Sequence, residues 1–326
     1  MRHQKRILGL MIGALAVMPM VASAQAESYP SRPITLIIPF PAGGTTDVVG
    51  RIVAERLTAE LGQTVVAENR GGAGGSIGSN AIAKAKPDGY TLGIATVSTH
   101  GINPAVYKKL PFDAKKDFTP ITNVAAVPNI VTVNPKVKAQ NMQEFVALAK
   151  AEPGALSYAS AGHGSVANMM GELFKMASKT DLLHVPYRGS GPALTDTLAG
   201  QVDTFFDNLP TSLPHVKSGK LRALAVAWPQ RVAALPDVPT FAEVGLPEVN
   251  DASWFGLIAP AGLPADILEK LNAATVKVLK SPEVIERLAS LGAAPIGNTP
   301  AEFAKQISDR IDQSAVVAKQ AGISID

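Results

Sequence analysis

Ile34-Thr35-Leu36-Ile37-Ile38-Pro39-Phe40-Pro41-Ala42-Gly43-Gly44-Thr45-Thr46-Asp47 is an apolar run that ends in a Pro/Gly loop and passes directly into a helical pattern. Over Asp47–Leu61, the residues Val48, Val49, Ile52, Val53, Leu57 and Leu61 share one helical face. The unit therefore reads strand, loop, helix. A helix begins with N–H groups that lack intrahelical acceptors and with a partial positive charge, so the loop at its head suits an anionic group. No obvious nucleophile, base or metal ligand accompanies the two threonine hydroxyls there. The place is suited to holding a molecule rather than converting it.

The same grammar repeats outward. Thr64–Ala67 is a short strand before the glycine-rich Asn69–Gly78 and a helical Ser79–Lys86. Tyr90–Val97 is an apolar strand broken by Ser98-Thr99-His100-Gly101-Ile102-Asn103-Pro104. Phe118–Val133 is a long β-prone stretch interrupted by Pro120 and Pro128. Leu156–Ala159 then leads through Ser160-Ala161-Gly162-His163-Gly164-Ser165 into a helix over Val166–Ala177. Leu182–Tyr187 leads through Arg188-Gly189-Ser190-Gly191 into Pro192–Leu198, and Val202–Phe206 meets Asp207-Asn208. Trp254–Ala259 precedes a helix over Ala265–Lys280. Ser281-Pro282-Glu283 supplies a cap and an N1 proline, and Thr299-Pro300-Ala301-Glu302 a capping box. Repeated strand–loop–helix units predict an α/β fold of parallel sheets covered by helices. Ligands of such folds bind beyond the carboxyl ends of the strands, where all these Gly/Ser/Thr loops fall.

Composition sets the address and excludes several classes. Arg2, Lys5 and Arg6 precede the apolar run Ile7 to Ala22, which exits through Ala22-Ser23-Ala24-Gln25-Ala26. That is the pattern of a secretory signal peptide over residues 1–26, with cleavage after Ala24 or Ala26 both fitting. The run is short for a membrane span of about 20 residues, and a soluble exported protein is expected. Removing the three basic residues of that segment from the 30 leaves basic and acidic groups equal, at 27 each. No Lys/Arg cluster with interleaved aromatics marks a nucleic-acid surface. The chain has no cysteine, which rules out disulfides, thiol catalysis and thiolate metal sites. Its length suits two domains.

Two catalytic patterns compete with this reading. Gly74-Gly75-Ser76-Ile77-Gly78 fits G-x-S-x-G, yet five residues separate it from the preceding strand, so there is no sharp nucleophile elbow. Its triad partners would have to be picked freely from Asp203, Asp207 and His215. His100, His163, His184 and His215 lack metal-ligand spacing, and neither a dinucleotide fingerprint nor a P-loop is present. No metal and no cofactor are expected.

Several linked motifs carry a resemblance. Pro39-Phe40-Pro41-Ala42-Gly43-Gly44-Thr45-Thr46-Asp47 and Asn69-Arg70-Gly71-Gly72-Ala73-Gly74-Gly75-Ser76-Ile77-Gly78 look like two hallmark loops of one family. His184-Val185-Pro186-Tyr187-Arg188-Gly189, Gly200-Gln201-Val202-Asp203 and Leu235-Pro236-Asp237-Val238-Pro239-Thr240 follow in that family's order. From about Tyr29 to its C-terminus the chain resembles the Bug-type solute receptors of tripartite tricarboxylate transporters. The resemblance implies a periplasmic binding protein fold, type II-like, of two doubly wound α/β domains joined by two crossing segments. The domains would be 27–125 with 226–326, and 126–225. It also implies a small carboxylate ligand held mainly by loop backbone and water, flytrap closure, monomeric action and membrane transporter subunits as partners.

Carried over by position, the resemblance assigns Phe40, Ala42, Gly43, Gly44 and Thr45 to the first cleft loop, and Thr96, Ser98 and Thr99 to the end of the third strand. Ser160, Gly162, Gly164 and Ser165 form the loop of the second domain, Tyr187, Arg188 and Gly189 its neighbour, and Asp207 and Asn208 a last strand end. Local explanations compete with these roles. Gly43 and Gly44 would also serve a tight βα turn, and Asp47 reads as a first-turn residue complementing the helix dipole. Arg188 suits a ligand carboxylate or plain solvent. Asp207 suits an amine or hydroxyl of the ligand, or a turn cap. Phe40 either stacks on the ligand or covers the hinge. The rival functions are an exported serine hydrolase using Ser76 and a ligand sensor without a transporter. Candidate ligands run from di- and tricarboxylates to aromatic and amino acids.

Overall fold

The computed structural model describes residues 29–326, so the signal-peptide reading lies outside the described residues. In chain order the first elements are β1 (Ile34–Ile38), α1 (Thr45–Leu61), β2 (Val65–Asn69), α2 (Ser76–Ala83), β3 (Thr91–Thr96) and α3 (Asn103–Val106). Then come β4 (Phe118–Val127), β5 (Asn129–Val133), α4 (Met142–Ala151), β6 (Ser157–Ser160), α5 (Val166–Ser178), β7 (Leu183–Pro186) and α6 (Ser190–Ala199). The chain continues through β8 (Thr204–Asn208), α7 (Leu209–Lys217), β9 (Arg222–Ala227) and β10 (Ser253–Pro260). It ends with α8 (Ala265–Leu279), α9 (Pro282–Ser290), β11 (Ala294–Pro295) and α10 (Pro300–Ala321).

Two sheets organise these elements into two lobes. The first has the order β11-β4-β10-β3-β1-β2 and the second β7-β6-β8-β5-β9. As expected from the strand–loop–helix units, β1 pairs in parallel with β2 and β3, and β6 in parallel with β7 and β8. The sheets are nonetheless mixed, which corrects the all-parallel expectation. The β-prone stretch Phe118–Val133 breaks at Pro128 and carries the chain from the first sheet to the second as β4 and β5. A chain that leaves one lobe must return running the other way. Accordingly β9 lies antiparallel to β5, and β10 inserts antiparallel between β4 and β3. Pro120 is tolerated inside β4, where pairing with β10 shifts register beside Ile258.

The return crossing comes after the segment 228–252. Thr240 bridges in parallel to Val226, and Phe241 donates its N–H to the Val226 carbonyl at 2.9 Å, which holds that segment to the second sheet. The seam expected at 225/226 therefore falls inside β9.

Packing follows the apolar stripes. In α1, Val49, Ile52, Val53 and Leu57 are buried against β1 and β3 residues, while Val48 and Leu61 are partly covered. Each such side chain stabilises the fold by roughly 1.5–3 kcal/mol relative to exposure. At Gly50 α1 lies close on the sheet: a Cβ there would lie 2.8 Å from the Ile38 side chain.

Candidate functional site

Four helices start at the seam between the lobes. Gly44, Thr45 and Thr46 open α1 from the first lobe, and Ser165, Val166 and Ala167 open α5 from the second. Ser190 opens α6, and Asn208 stands at the head of α7. Parts of all four line one narrow cavity of about 30 Å³, on the order of the space needed for a water molecule or two. Phe40, Thr96, Val97, Ser98, Ala161, Asp207, Ser253, Trp254 and Phe255 complete its wall. Among the described residues, no lysine, arginine or histidine is in that lining. What suits an anion there is the helix starts, whose first N–H groups have no intrahelical acceptor.

The lobes touch along the rim. Thr45 Oγ1 and Thr211 Oγ1 share a hydrogen bond of 2.7 Å, and Ser98 Oγ accepts the Val166 N–H at 3.0 Å. Opposite Pro41 and Ala42, the facing loop is built from glycine. A Cβ on Gly189 would sit 2.6 Å from Pro41 Cδ, and one on Gly191 would sit 2.8 Å from the Ala42 carbonyl oxygen. The two explanations for Gly43 and Gly44 thus separate. Gly43 has φ +87°, a turn requirement, whereas a Cβ on Gly44 would press on Ser190 Cβ at 3.3 Å, a closure requirement.

The expected residues divide in the same way. Phe40, Gly44, Thr45, Thr96, Ser98, Ser165, Asp207 and Asn208 line the cavity. The others do not. The Gly43 N–H is taken by Asp47 Oδ2, and Ala42 packs on the rim. Thr99 is fully buried and braces Thr96, with its Oγ1 also 2.9 Å from His100 Nδ1. Ser160 is fully buried against His184 Nε2 at 2.7 Å. Gly162 donates to Ser160 Oγ, and Gly164 donates to Asn168 Oδ1. Tyr187 donates to Asp196 Oδ2 at 2.8 Å, on the outer side of α6. Arg188 is exposed, and Gly189 belongs to the rim.

Reading the loops alone missed Ser253, Trp254 and Phe255, because β10 reaches the cavity only through long-range pairing. Thr46 and Ser190 stood in quoted loops and could have been found there.

Two carboxyl groups flank the helix starts. Asp47 is buried but well supplied: it accepts from Arg51 Nε at 2.9 Å, Asn69 Nδ2 at 2.9 Å and Gly43 N at 3.1 Å. Asp207 lies in the cavity wall, 1% exposed, accepting from Ser190 Oγ at 2.8 Å and Ser212 Oγ at 3.0 Å. Burial pushes its carboxyl up to about 7, against the opposing hydrogen bonds from Ser190, Asn208 and Ser212. Burial likewise pulls His184 down to about 4, with the neighbouring His163 adding to the shift.

The two crossings between the lobes meet under the cavity. Asn129 Oδ1 accepts from Ser253 Oγ at 2.7 Å and from Asn208 Nδ2, which also donates to Ser253 Oγ at 2.9 Å. Asn129 Nδ2 donates to the Asp251 carbonyl at 2.7 Å. One residue from each crossing strand and one from the β8 end thus form a closed triangle of buried polar groups. Arg310 of α10 pairs with the Asp251 carboxylate behind it.

Ser76 Oγ accepts from Asn103 Nδ2 at 3.1 Å, and the described residues that line the surrounding groove, Asn80, Tyr107, Lys109 and Asp326 among them, include no histidine. Among the described residues no cluster of three or more His, Asp or Glu is placed to hold a metal ion.

Comparison with known proteins decides the family. The sequence model of the tripartite tricarboxylate transporter family receptor matches residues 49–323. The chain belongs to that family. This receptor is 38% identical to Protein BugT of Bordetella pertussis, over 99% of both chains. It also superposes on a structure described as a periplasmic transporter with TM-score 0.90 and 52% identity, covering 92% of this chain and all of that one. R. palustris Rpa4515 with adipate gives TM-score 0.88 at 37% identity, over 91% and 99% of the two chains. MatC of Rhodopseudomonas palustris with bound malate gives 0.85 at 35%, over 89% and 99%. The receptor's two α/β lobes are those of a periplasmic binding protein, type II-like.

Proposed function

We propose that the receptor captures a small organic carboxylate in the periplasm by lobe closure and presents the closed form to its membrane transporter. The observation that carries this reading is the convergence of four helix starts on a cavity lined by no cationic side chain. Backbone donors at α1 and α5 receive the ligand carboxylate, and closure removes water, which strengthens hydrogen bonds from neutral donors. Adipate and malate in two related structures support a carboxylate as the ligand class.

The division into two moving bodies, 29–127 with 253–326 against 128–252, accounts for the hinge triangle. Asn208 and Ser253 both touch the cavity and the hinge, so a ligand that draws on them shifts the open–closed equilibrium directly. We read the protein as exported through its signal peptide, monomeric, free of cofactor and nucleic-acid partners, and not an enzyme.

A thermal-shift panel of carboxylates and their amides tests the proposal. A ligand that binds only the folded state at 100 times its Kd adds about 2.7 kcal/mol of stability. Stabilisation by an acid whose amide is inert is the expected result, and indifference to every acid would overturn it. Ester hydrolysis lost in Ser76→Ala would instead support the enzyme reading.

A further inference from the structure

Asp207 is the one ionisable side chain in the cavity wall, and it has the wrong sign for the ligand that the helix starts invite. Among the described residues no cation answers it; β6 and α5, which also flank β8, bring Tyr158 and the mutually paired Glu172 and Lys175. On the second lobe, β5 pairs with Asp207 through Ile130, and α6 and α7 offer Ser190 and Ser212. The remaining charged groups of those helices are turned elsewhere: Asp196 is held by Tyr187, and His215 and Lys217 lie in the last turn of α7. The second neighbour of β5 is β9, whose Arg222 donates to the Val137 and Ala139 carbonyls. Across the seam, α1 brings Thr45 and Thr46, and its Asp47 is occupied by Arg51 and Asn69, while β10 brings Ser253 and Trp254. An ionised Asp207 also fixes both serine hydroxyls as donors toward itself. Ser190 Oγ, which lines the cavity, then offers an arriving carboxylate only lone pairs.

Two carboxylates in one dry cavity cannot both keep their charge at low cost; one of them holds a proton. We propose that Asp207 makes capture of a carboxylate proton-linked: the ligand enters as its anion, and one proton from solvent water settles on an Asp207 oxygen as the lobes close. Neutral Asp207 releases Ser190 to donate into the cavity and can itself donate. This inference rests on the carboxylate reading above. The burial-driven rise of the Asp207 carboxyl agrees with it. Its consequence is a receptor that fills in neutral or mildly acidic surroundings and loosens its hold as pH rises.

The test uses the protein and its Asp207→Asn variant, with adipate, malate and 6-aminohexanoate as probes. Isothermal titration in buffers of different ionisation enthalpy counts protons, and carbon-13 NMR follows the Asp207 carboxyl in the unliganded protein. The carboxyl is expected to titrate near 7. At pH 8 a dicarboxylate should bring in close to one proton, and its affinity should fall about tenfold per pH unit above that midpoint. Asp207→Asn should bind it with no uptake and a flat pH profile.

A carboxyl titrating near 4, or wild-type binding without proton uptake, would overturn the proposal. So would tighter binding of 6-aminohexanoate with no proton exchanged, because the ligand's ammonium would then be answering Asp207. Should Asp207→Asn not fold, the wild-type proton count and NMR titration decide alone. Absence of binding by any carboxylate, with Asp207 still titrating high, would sink the carboxylate reading and the proton-linked capture with it, whereas carboxylate binding without proton uptake would sink the proton linkage alone.

Discussion

Asp47 and Asp207 are the same residue type, both buried, both within a turn of a helix start at the seam between the lobes. Their surroundings differ completely. Asp47 collects a guanidinium, a side-chain amide and a backbone N–H, and it is spent on holding the β1–α1 loop in shape. Asp207 has two serine hydroxyls and the Asn208 N–H but, among the described residues, no cation, and it faces the cavity. A carboxylate that is fully answered builds the scaffold. One left partly unanswered stays available to whatever enters.

The largest expected effect separates the two by stability. Asp47→Ala should lower stability by about 2–3 kcal/mol, read from denaturant midpoints, because it removes the buried charged acceptor shared by Arg51, Asn69 and the Gly43 N–H. Asp207→Asn at pH 8 should melt no lower than wild type, since it removes an uncompensated buried charge. Equal losses in both variants would erase the contrast.

Next comes the hinge triangle beneath Asp207. Asn129→Ala leaves Asn208 and Ser253 short of a buried acceptor and should cost about 1–3 kcal/mol. It should also widen the unliganded protein in small-angle scattering, although Asn129 does not line the cavity. An unchanged scattering profile would remove the hinge from the mechanism.

The pH dependence of stability sharpens the comparison further. Asp207 has its folded value raised to about 7, so the stability it confers is full in acid and is lost as pH climbs through that value. His184, lowered to about 4, works the other way: it costs stability as pH falls from its ordinary value toward 4. Melting curves of Asp207→Asn and His184→Gln from pH 4 to 8 should therefore diverge from wild type at opposite ends of the range. The smallest effect is expected for Arg188→Ala. That exposed side chain should leave stability within about 0.5 kcal/mol and ligand affinity unchanged within roughly twofold. A large loss would return Arg188 to the site.

Local chemistry was legible and long-range topology was not. The capping box at Thr299 forms as expected, with Glu302 answering the Thr299 N–H at 2.8 Å. At α9 the proline took its N1 place, but Ser281 turned its hydroxyl to the Val278 carbonyl instead of capping. The β1–α1 loop could be placed because the strand, its glycines and the helix are contiguous. Nothing local in Ser253-Trp254-Phe255 tells that β10 slips between β3 and β4 and so delivers three residues to the cavity. Tyr187 and Ser160 failed as cavity residues for a related reason. Each is polar, beside the right loop, and already engaged by a neighbour, Asp196 or His184, that sequence spacing does not reveal.

Where Pro41 meets Gly189 and Ala42 meets Gly191, the second lobe sets bare glycine backbone against the proline ring and the Ala42 carbonyl. The jaws thus behave as a calliper whose zero is set by main-chain geometry. A molecule is measured by how far it holds them from that stop. Substituting an inner face such as Val97, Ala167 or Trp254 regrades the scale, while adding a single methyl at the stop would falsify every reading the instrument makes.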